Sequence, residues 1–390
     1  MKHPDDTAKA TNVGEGHISF AINEGYVDYF CVALTSLLLS TPDYTLHIHI
    51  MTGGLSEKNQ HRINHFEYRF PHCRIHYHDM SQDSMQSYTP HGGYISAETW
   101  YRLRLPRLLP HVDRVLYLDA DLVVLKNLKE LFDMDMQHYL CAGVEDLQLK
   151  RDNYKETIGL SHNHVYVNAG VLVMNLKAMR EQNTSEAMID YAQQHASILT
   201  YNDQDVVNIV CQNKIKELSS EWNFTTADAR RNRHMIHLAR IAHFTGTRKP
   251  WLSKCRNVFR HQWKKNLRHY QNICKSLKVG LLIQDDDIHT LVTKLPTTPQ
   301  HIVFEILKIS NQHLLKSETT KQGNISCISL PRFSWLAKCA VRSKAYDACI
   351  LLSSSERART LIPCDMPLLN TKDFSEEAIK EELRRQSSAV

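Results

Sequence analysis

Short apolar runs alternate with helical patterns through the first two-thirds of the chain. The apolar runs predict strands at residues 18–22, 46–51, 75–77, 115–118, 140–144 and 165–174. Apolar positions at helical spacing predict helices at residues 29–39, 55–70, 97–109 and 203–210. Ser56 is a candidate N-cap, and Pro106 interrupts the third helix. Because strands and helices alternate, we expect an α/β fold whose mostly parallel sheet is covered by helices.

The pattern changes near residues 270–280, where we place a domain boundary. A chain of 390 residues can form one large domain or two ordinary ones. Residues 1–16 are polar and predict a tail, residues 17–252 predict the main domain, and residues 253–278 form a basic, aromatic segment. Residues 279–390 predict a mainly helical extension, and the sequence does not indicate its role. Residues 375–385 within it have a helical pattern.

Asp119-Ala120-Asp121 follows the predicted strand at residues 115–118, and another apolar run follows it. Residues two apart in an extended chain point to the same face, about 6–7 Å apart. Burying two like charges is costly unless a cation lies between them, and a divalent metal is the natural candidate. Three further Asp-x-Asp copies, which lack this apolar context, are more simply explained as solvated acidic turns: residues 133–135, 203–205 and 285–287.

Polar residues recur at the ends of the predicted strands. They lie at residues 21–23, 119–121, 145–146 and 168–170. Ligands of open parallel sheets bind beyond the carboxyl ends of the strands, so these residues are expected to converge. Together with His243, they suggest a metal and a phosphate-bearing ligand in one cleft.

Ordered motifs make the chain similar to a known family. They are Tyr-Leu-Asp-Ala-Asp at 117–121, Val-Asn-Ala-Gly-Val at 167–171, Asn-Asp-Gln-Asp at 202–205, His-Phe-Thr-Gly at 243–246 and Lys-Pro-Trp at 249–251. Their order resembles that of glycosyltransferase family 8, which contains bacterial lipopolysaccharide galactosyl- and glucosyltransferases and glycogenin. The resemblance covers about residues 17–252 and implies a single nucleotide-binding domain of the GT-A type.

The resemblance implies a metal site and a diphosphate site. Asp119, Asp121 and His243 would hold Mn²⁺, with Mg²⁺ as the alternative, and the ion would bridge the diphosphate of a UDP-sugar. Carboxylates, imidazole and phosphate oxygens suit such an octahedral ion. Lys249 would add positive charge at the diphosphate, and Gly246 would let the backbone approach it. The structural alternatives are a satisfied core histidine for His243 and one more member of a basic run for Lys249.

The resemblance also implies a donor-sugar pocket. Asp146, Asp203 and Gln204 would be the catalytic residues, and carboxylates and amides suit sugar hydroxyls. The implied substrate-binding residues are Ala21, Asn23, Tyr26, Arg102, Asp119, Ala120, Asn168, Ala169, Gly170, Gly246 and Lys249. Three of these residues have structural alternatives: helix capping for Asp203, a turn for Asn168 and helix packing for Arg102.

The nucleotide end departs from the family pattern. The family usually has acidic and amide residues after the first strand, whereas this chain has Asn23-Glu24-Gly25-Tyr26. Asn23 can hydrogen-bond uracil and Tyr26 can stack on it, but Gly25 offers no side chain. The details of base recognition therefore stay open, while the expected reaction class is unchanged.

Residues 230–278 contain fourteen Lys or Arg and no Asp or Glu, within a chain of net charge +5. Trp251, Phe259, Trp263 and Tyr270 lie among them. The segment fits a solvated basic face, or a surface for anionic lipids with the aromatic rings in the membrane interface. Charge alone does not exclude a nucleic-acid surface, although we consider nucleic acid the less fitting partner.

Composition indicates a soluble globular protein, with 42% hydrophobic and 23% charged residues. The start lacks an apolar signal-peptide core, and no stretch approaches the ~18 apolar residues of a membrane span. The ten cysteines include no Cys-x-x-Cys pair, which indicates reduced thiols. We therefore expect a cytoplasmic protein, held peripherally at the inner membrane by the basic segment.

The resemblance implies transfer with retention of the anomeric configuration. The expected donor is UDP-galactose or UDP-glucose, and the expected acceptor is a saccharide of the lipopolysaccharide core. Gln204 is an amide and a poor nucleophile, so we favour a front-face route through an oxocarbenium-like state. A metal-dependent nucleotidyltransferase and a nucleic-acid binder that uses residues 230–278 remain the alternatives, and the assembly state stays open.

Overall fold

In the computed structural model, the described residues are 14–83, 96–147, 149, 154–161, 163–195, 199–253 and 255–273, with six strands between residues 277 and 369. The chain divides into two compact units, Met1–Asn272 and Ile273–Val390. Most of the predicted tail, residues 1–13, lies outside the described residues, and so does the predicted helix at residues 375–385.

Among the described residues of the first unit, ten strands form two sheets. They are β1 (Gly14–Ala21), β2 (Tyr44–Thr52), β3 (Cys73–Asp79), β4 (Arg114–Leu118), β5 (Leu122–Val124), β6 (Cys141–Glu145), β7 (Val167–Asn175), β8 (Ile215–Leu218), β9 (Phe224–Thr225) and β10 (Ile241–His243). The main sheet has seven strands in the order β3-β2-β1-β4-β7-β6-β8, and a small sheet has the order β5-β10-β9.

The main sheet is mostly parallel, which confirms the expected α/β fold. β1 pairs in parallel with β2 and β4, β2 with β3, and β6 with β8. β7 runs antiparallel to both of its neighbours, β4 and β6. The sequence predicted a strand there but not its reversed direction, because an apolar run reports burial and not orientation.

Helices cover this sheet. The α-helices are α1 (Val27–Ser40), α2 (Glu57–Asn64), α3 (Phe66–Arg69), α4 (Leu105–Leu108), α5 (Lys129–Phe132), α6 (Tyr154–Thr157), α7 (Leu176–Glu181), α8 (Thr184–His195), α9 (Asp203–Val210), α10 (Thr226–Arg231) and α11 (Arg260–Ile273). Single 3-10 helices occupy Glu24–Tyr26, Ala97–Arg104, Ser220–Asn223 and Arg233–Leu238. Within the described part of the chain, no helix combines the length and apolarity needed to cross a bilayer.

Two predicted helices are each divided. The helix predicted at residues 55–70 is α2 followed by α3, and the Ser56 hydroxyl caps α2 by accepting from the Asn59 N–H at 3.3 Å. The helix predicted at residues 97–109 is a 3-10 helix followed by α4. Pro106 lies in the first turn of α4, where its missing N–H breaks no intrahelical bond, so it starts a helix here.

The helix α1 is buried on most of its surface. Ten of its fourteen residues are buried, which explains its nearly continuous apolar sequence. Its two buried hydroxyl groups are satisfied locally: Thr35 donates to the Cys31 carbonyl at 2.7 Å, and Ser36 donates to the Ala33 carbonyl at 2.6 Å. Ser36 also accepts from the Val124 N–H at 2.9 Å, which joins α1 to β5.

The aromatic residues of the basic segment pack inside the first unit. Phe259, Trp263 and Tyr270 are only 2%, 5% and 4% exposed. The Tyr270 ring is parallel to the Phe66 ring, with 5.9 Å between the ring centroids. The ring centroids of Trp263 and Trp251 are also 5.9 Å apart. The expectation that these rings enter a membrane interface is therefore wrong for the three buried residues, because their apolar surface is already covered by protein.

The second unit contains a six-stranded sheet. Its strands are β11 (Leu277–Ile283), β12 (Ile302–Ile309), β13 (Lys316–Thr319), β14 (Ile325–Leu330), β15 (Ala348–Leu351) and β16 (Leu368–Leu369). The order is β13-β14-β12-β11-β15-β16, and every neighbouring pair is parallel except β13–β14. The prediction of a mainly helical extension is wrong for these residues, whose short runs rich in Ile, Leu and Val are typical of buried strands.

Candidate active site

Polar residues from four strand ends meet at one edge of the main sheet. Asn23, Asp119 and Asp146 follow β1, β4 and β6 at their carboxyl ends. Residues 168–170 lie at the amino end of β7, which corrects the expectation that they end a strand. They reach the same edge because β7 is reversed, and the Asp119 N–H donates to the Gly170 carbonyl at 2.8 Å.

A cleft of about 250 Å³ opens at this edge. Every residue for which the sequence predicted a site role lines it: Ala21, Asn23, Tyr26, Arg102, Asp119, Ala120, Asp121, Asp146, Asn168, Ala169, Gly170, Asp203, Gln204, His243, Gly246 and Lys249. Seven lining residues carried no predicted role: Ile22, Ser96, Glu98, Thr99, Tyr117, Tyr201 and Thr245. The structure thus brings the predicted residues together, while their individual roles stay predictions.

Asp119, Asp121 and His243 form a candidate metal site. One ligand atom from each lies within 4.8 Å of the others. The His243 Nε2 atom is 3.2 Å from Asp121 Oδ1 and 3.6 Å from Asp119 Oδ2. Two carboxylates and one imidazole form a donor set that suits a hard or borderline divalent ion. His243 ends β10, and the Phe244 N–H donates to the Asp121 carbonyl at 3.0 Å, which ties the two motifs together.

Lys249 lies beside this site. Its ammonium group donates to the Asp121 carboxylate and, at 2.9 Å, to the Phe244 carbonyl. Burial alone would raise the pKa of Asp121, but Lys249 and His243 hold that pKa below its usual range. Asp121 is therefore a carboxylate at neutral pH, which is the form that binds a metal.

Asn223 orients His243, and sequence reasoning missed it. The Asn223 Oδ1 atom is 2.9 Å from His243 Nδ1, and its amide nitrogen donates to Asn168 Oδ1 at 2.9 Å. With Nδ1 donating, the lone pair of Nε2 is left for the carboxylate side of the site. Asn223 is fully buried. It lies 20 residues from His243, so no local motif could have identified it.

Gly170 and Gly246 are required for different reasons. A Cβ atom at Gly170 would lie 2.3 Å from His243 Cε1 and 2.6 Å from Asp119 Oδ2. The metal site therefore leaves no space for a side chain there. Gly246 has a φ of +77° with open space around it, so it provides a left-handed backbone conformation that other residues rarely adopt.

Arg102 pairs with two carboxylates. Its Nη2 atom is 3.1 Å from Asp119 Oδ1, and its Nε atom is 2.9 Å from Asp203 Oδ2. The guanidinium also donates to the Ala169 carbonyl and lies over the Tyr117 ring at 4.1 Å. Burial raises the pKa of Asp203 to about 6 even though Arg102 opposes the shift. Arg102 is thus a buried residue of the cleft wall. Its contacts hold the two carboxylates in place and leave little of it exposed to a ligand.

Gln204 belongs to an amide network. Its Oε1 atom accepts from Asn168 Nδ2 at 3.1 Å and from the Ala169 N–H at 3.0 Å. Its Nε2 atom donates to Asp146 Oδ2 at 3.2 Å, and Asn168 Nδ2 is 3.3 Å from the same oxygen. Three side chains thus present fixed donors and acceptors to the cleft, as recognition of sugar hydroxyls requires.

The neighbouring acid Asp205 does not line the cleft. It is fully buried and accepts from the hydroxyls of Tyr154 at 2.6 Å and Tyr166 at 2.5 Å, and from the Tyr201 N–H at 2.8 Å. Asp203 and Asp205 are both buried in the first turn of α9, so the expectation of a solvated acidic turn is wrong for this copy. Asp203 lines the cleft, whereas Asp205 joins α9 to Tyr154 and Tyr166.

Asn23 and Tyr26, for which the sequence predicted contacts with the nucleotide base, both line the cleft. Asn23 Nδ2 donates to Glu98 Oε2 at 3.1 Å. Tyr26 meets the rings of Tyr29 and Trp251 edge-on, at 5.4 and 6.2 Å. Glu98 lies near the start of the helix predicted at residues 97–109. Only the folded chain shows that it lies next to Asn23.

The first unit has the fold of GT-A glycosyltransferases. It resembles the galactosyltransferase LgtC, solved in complex with donor and acceptor sugar analogues, with a TM-score of 0.59 and 25% identity over 65% of this chain and 95% of LgtC. GlyE of Streptococcus pneumoniae TIGR4 shares only the fold, with a TM-score of 0.51 and 18% identity over 93% of this chain and 94% of GlyE.

The profile of Glycosyl transferase family 8 matches residues 17–255, so the chain belongs to that family and is a glycosyltransferase. A putative glycosyltransferase of Haemophilus influenzae is 27% identical over 63% of this chain and 76% of its own length. The lipopolysaccharide 1,3-galactosyltransferase of Salmonella typhimurium is 25% identical over 63% of this chain and 76% of its own length. These matches confirm the family predicted from the motifs.

Proposed function

We propose that this glycosyltransferase moves galactose or glucose from a UDP-sugar to a saccharide of the lipopolysaccharide core type, with retention and with Mn²⁺ as cofactor. The observation that carries the proposal is one cleft that joins the Asp119, Asp121 and His243 cluster to the Asp146, Asn168 and Gln204 network. Relatives named as lipopolysaccharide galactosyl- and glucosyltransferases support the acceptor class.

The donor set fits Mn²⁺, and Mg²⁺ is the second choice because the site includes an imidazole. When bound, the ion supplies a Lewis acid for the diphosphate oxygens. Lys249 is largely buried at the same site and carries a point charge, so it is placed to bind a diphosphate oxygen in exchange for Asp121. The left-handed Gly246 brings backbone to the same region without a side chain.

Retention is best explained by attack on the face from which UDP departs. The bond from the anomeric carbon to the UDP oxygen breaks, and the acceptor hydroxyl oxygen bonds to the same carbon. The hydroxyl proton passes to the departing phosphate oxygen. The amide oxygen of Gln204 already accepts two hydrogen bonds, which makes it a still poorer nucleophile. Asp146 and Asp203 then stabilise the positive charge that develops on the sugar.

A donor screen tests this proposal. We expect UDP-galactose or UDP-glucose to release free UDP in the presence of a truncated lipopolysaccharide acceptor, and only with Mn²⁺. Asp121→Asn should lower turnover more than about 100-fold and abolish Mn²⁺-dependent UDP binding, since an amide is a poor ligand for the ion. Asp135→Asn is the matched control, because Asp135 is exposed and belongs to another Asp-x-Asp pair.

Three outcomes would count against the proposal. Near-normal turnover of Asp121→Asn would contradict the metal role. A glycosyl adduct trapped on Gln204, Asp203 or Asp146 would contradict the front-face route. Release of pyrophosphate from a nucleoside triphosphate, with UDP-sugars left intact, would favour the nucleotidyltransferase alternative.

We also propose that the protein works peripherally at the cytoplasmic face of the inner membrane. Exposed apolar side chains near the basic residues support this more than the buried aromatic rings do. Leu238, Leu252 and Val258 are 37%, 46% and 36% exposed, and they lie within the basic segment of residues 230–278. Apolar contacts surrounded by cations fit an anionic lipid surface.

A further inference from the structure

A second cavity, of about 400 Å³, lies outside the candidate active site. Four of its lining residues are arginines, here called the arginine pocket: Arg230, Arg233, Arg248 and Arg256. The other lining residues are Thr226, Ala229, Asn257 and Val258, so no described acidic side chain lines this cavity. A concave surface lined by charges of one sign concentrates the field inside it.

The guanidinium groups of the arginine pocket have no ion-pair partner among the described residues. Other arginines of the first unit do have one, such as Arg62 with Asp28 and Arg240 with Glu130. The nearest acid on the same helix, Asp228, is 2% exposed and accepts from the Thr225 N–H at 2.9 Å and hydroxyl at 2.6 Å in a capping box. Asp228 therefore neutralises none of the four charges.

The arginines are held on two segments that are tied together. Arg230 lies in the last turn of α10 and Arg233 begins the 3-10 helix after it, while Arg248 and Arg256 lie on the loop before α11. Asn257 Nδ2 donates to Thr226 Oγ1 at 3.2 Å across the two segments. The loop is fixed further by Arg260, which donates to the carbonyls of Pro250 and Leu252 at 3.0 Å. The two segments that carry the exposed arginines are therefore joined before any ligand binds, which lowers the entropy cost of binding.

The arginine pocket adjoins the candidate active-site cleft. A smaller cavity of about 250 Å³ lies between them and is lined by Arg230 and Arg248 together with Thr245 and Gly246. Thr245 and Gly246 also line the cleft. In the proposed function, the donor diphosphate would be held at the candidate metal site and by Lys249. The arginine pocket is therefore available for an anion on the other substrate.

We propose that the arginine pocket binds a phosphate group carried by the acceptor saccharide. This rests on the proposed transfer to a saccharide, and it adds that the acceptor is anionic. Guanidinium groups match phosphate oxygens in paired, charge-assisted hydrogen bonds. A phosphate also offsets the mutual repulsion of four like charges, whereas a neutral sugar would leave that repulsion in place.

Direct titration tests the pocket without donor or metal. Inorganic phosphate and glucose 6-phosphate are titrated by calorimetry into the full chain in EDTA at low salt, with glucose as the neutral comparison. We expect both phosphates to bind and glucose not to bind. The Arg230→Gln, Arg248→Gln double variant should bind both at least tenfold more weakly. The Lys58→Gln, Lys177→Gln variant removes the same charge from exposed sites elsewhere and should bind like wild type.

Several results would overturn the proposal: no phosphate binding by the wild type, equal binding by the arginine variant, or equal loss in the lysine control. A parallel experiment with vesicles distinguishes a lipid head group from a phosphorylated saccharide as the ligand. If phosphatidylglycerol vesicles bind through Arg230 and Arg248 and glucose 6-phosphate does not displace them, the ligand is a lipid head group and the acceptor assignment fails.

Mn²⁺-dependent UDP binding is measured on the same variants and should be unchanged. If the wild type binds phosphate but shows no Mn²⁺-dependent UDP binding, the proposed function fails and the anion site stands. If the wild type binds UDP with Mn²⁺ but binds no phosphate, only the anion site fails.

Discussion

Arg102 shows how single residues decide the chemistry of the cleft. It pairs with Asp119 and Asp203 through different nitrogen atoms, while Asp121 is paired with Lys249 and His243. Asp119, Asp121 and Asp203 thus each have a cationic or imidazole neighbour, and the sequence had not predicted the two pairs with Arg102. Because an unpaired buried carboxylate is costly, these pairings let several acids share one small cleft.

Substitution of Asn223 tests the role of a single residue. Asn223→Leu removes the acceptor for His243 Nδ1 and the donor to Asn168. We expect Mn²⁺ affinity to fall about tenfold or more, since partners that orient a metal-binding histidine typically contribute 10–100-fold. Asn223→Asp keeps the acceptor and should keep most of the affinity. Mn²⁺ binding measured by electron paramagnetic resonance, independent of turnover, checks this.

The two Asn223 variants also distinguish a loss of His243 orientation from a loss of folding. Both should retain the wild-type circular dichroism spectrum. Unchanged Mn²⁺ affinity in Asn223→Leu would show that His243 needs no orienting partner.

At the scale of elements, the helix α11 illustrates how one sequence pattern allows two structures. Basic residues interspersed with Trp and Tyr predicted a membrane-binding surface. In the folded chain, Trp263 and Tyr270 face the protein instead, and Arg62 Nε donates to the Tyr270 hydroxyl at 3.0 Å. Amphipathic spacing fixes which side of a helix is apolar, but whether lipid or protein covers that side depends on the rest of the fold.

Trp263→Ala tests the packing of α11. A buried Trp replaced by Ala usually costs 3–5 kcal/mol, so we expect the free energy of unfolding to fall by about 3–4 kcal/mol. Urea unfolding followed by circular dichroism measures this, with Lys264→Ala as the control, because Lys264 is exposed next to it on the same helix. Unchanged stability combined with lost vesicle binding would instead place the ring in lipid.

At the scale of the whole molecule, pH acts on a group of stacked histidines. His17, His49 and His78 lie on three adjacent strands and are joined by N···N contacts of 3.0 Å. Burial lowers the pKa of His49 to about 3 and that of His17 to about 4, and neighbouring imidazoles add to both shifts. These imidazoles are therefore neutral in the folded chain at pH values where the unfolded chain is protonated.

The sign of the resulting pH dependence follows from proton binding. Below pH ~6.5 the unfolded chain takes up more protons than the folded chain, so stability falls as pH decreases toward the folded pKa values. For His49 at pH 5.0, the loss is on the order of 2 kcal/mol. Asp203, whose pKa is raised to about 6, has the opposite effect below that pH.

A variant comparison isolates the histidine contribution. Urea unfolding of wild type and His49→Val is measured at pH 7.5 and 5.0. We expect the loss of stability between these pH values to be smaller in His49→Val, while the exposed His234→Gln should match wild type. Equal losses in all three proteins would contradict the depressed pKa of His49.

The sequence by itself determined the α/β class, the family and most of the residues that line the cleft. It could do so because burial patterns are local and because each motif keeps its chemistry within a few consecutive residues. The Asp119–Asp121 pair was singled out among four copies by its apolar flanks alone. The folded chain confirms that this pair, His243 and the amide residues share one cleft.

Tertiary structure alone decided the direction of β7, the orientation of His243 by Asn223, the packing of α11 and the sheet of the second unit. Each depends on a partner far away in the chain, such as the neighbour of a strand or the group that meets a buried nitrogen. Sequence periodicity reports that a residue is buried, but it carries no record of what buries it. The arginine pocket has the same origin, because its two segments are joined across the fold by the contact between Asn257 and Thr226.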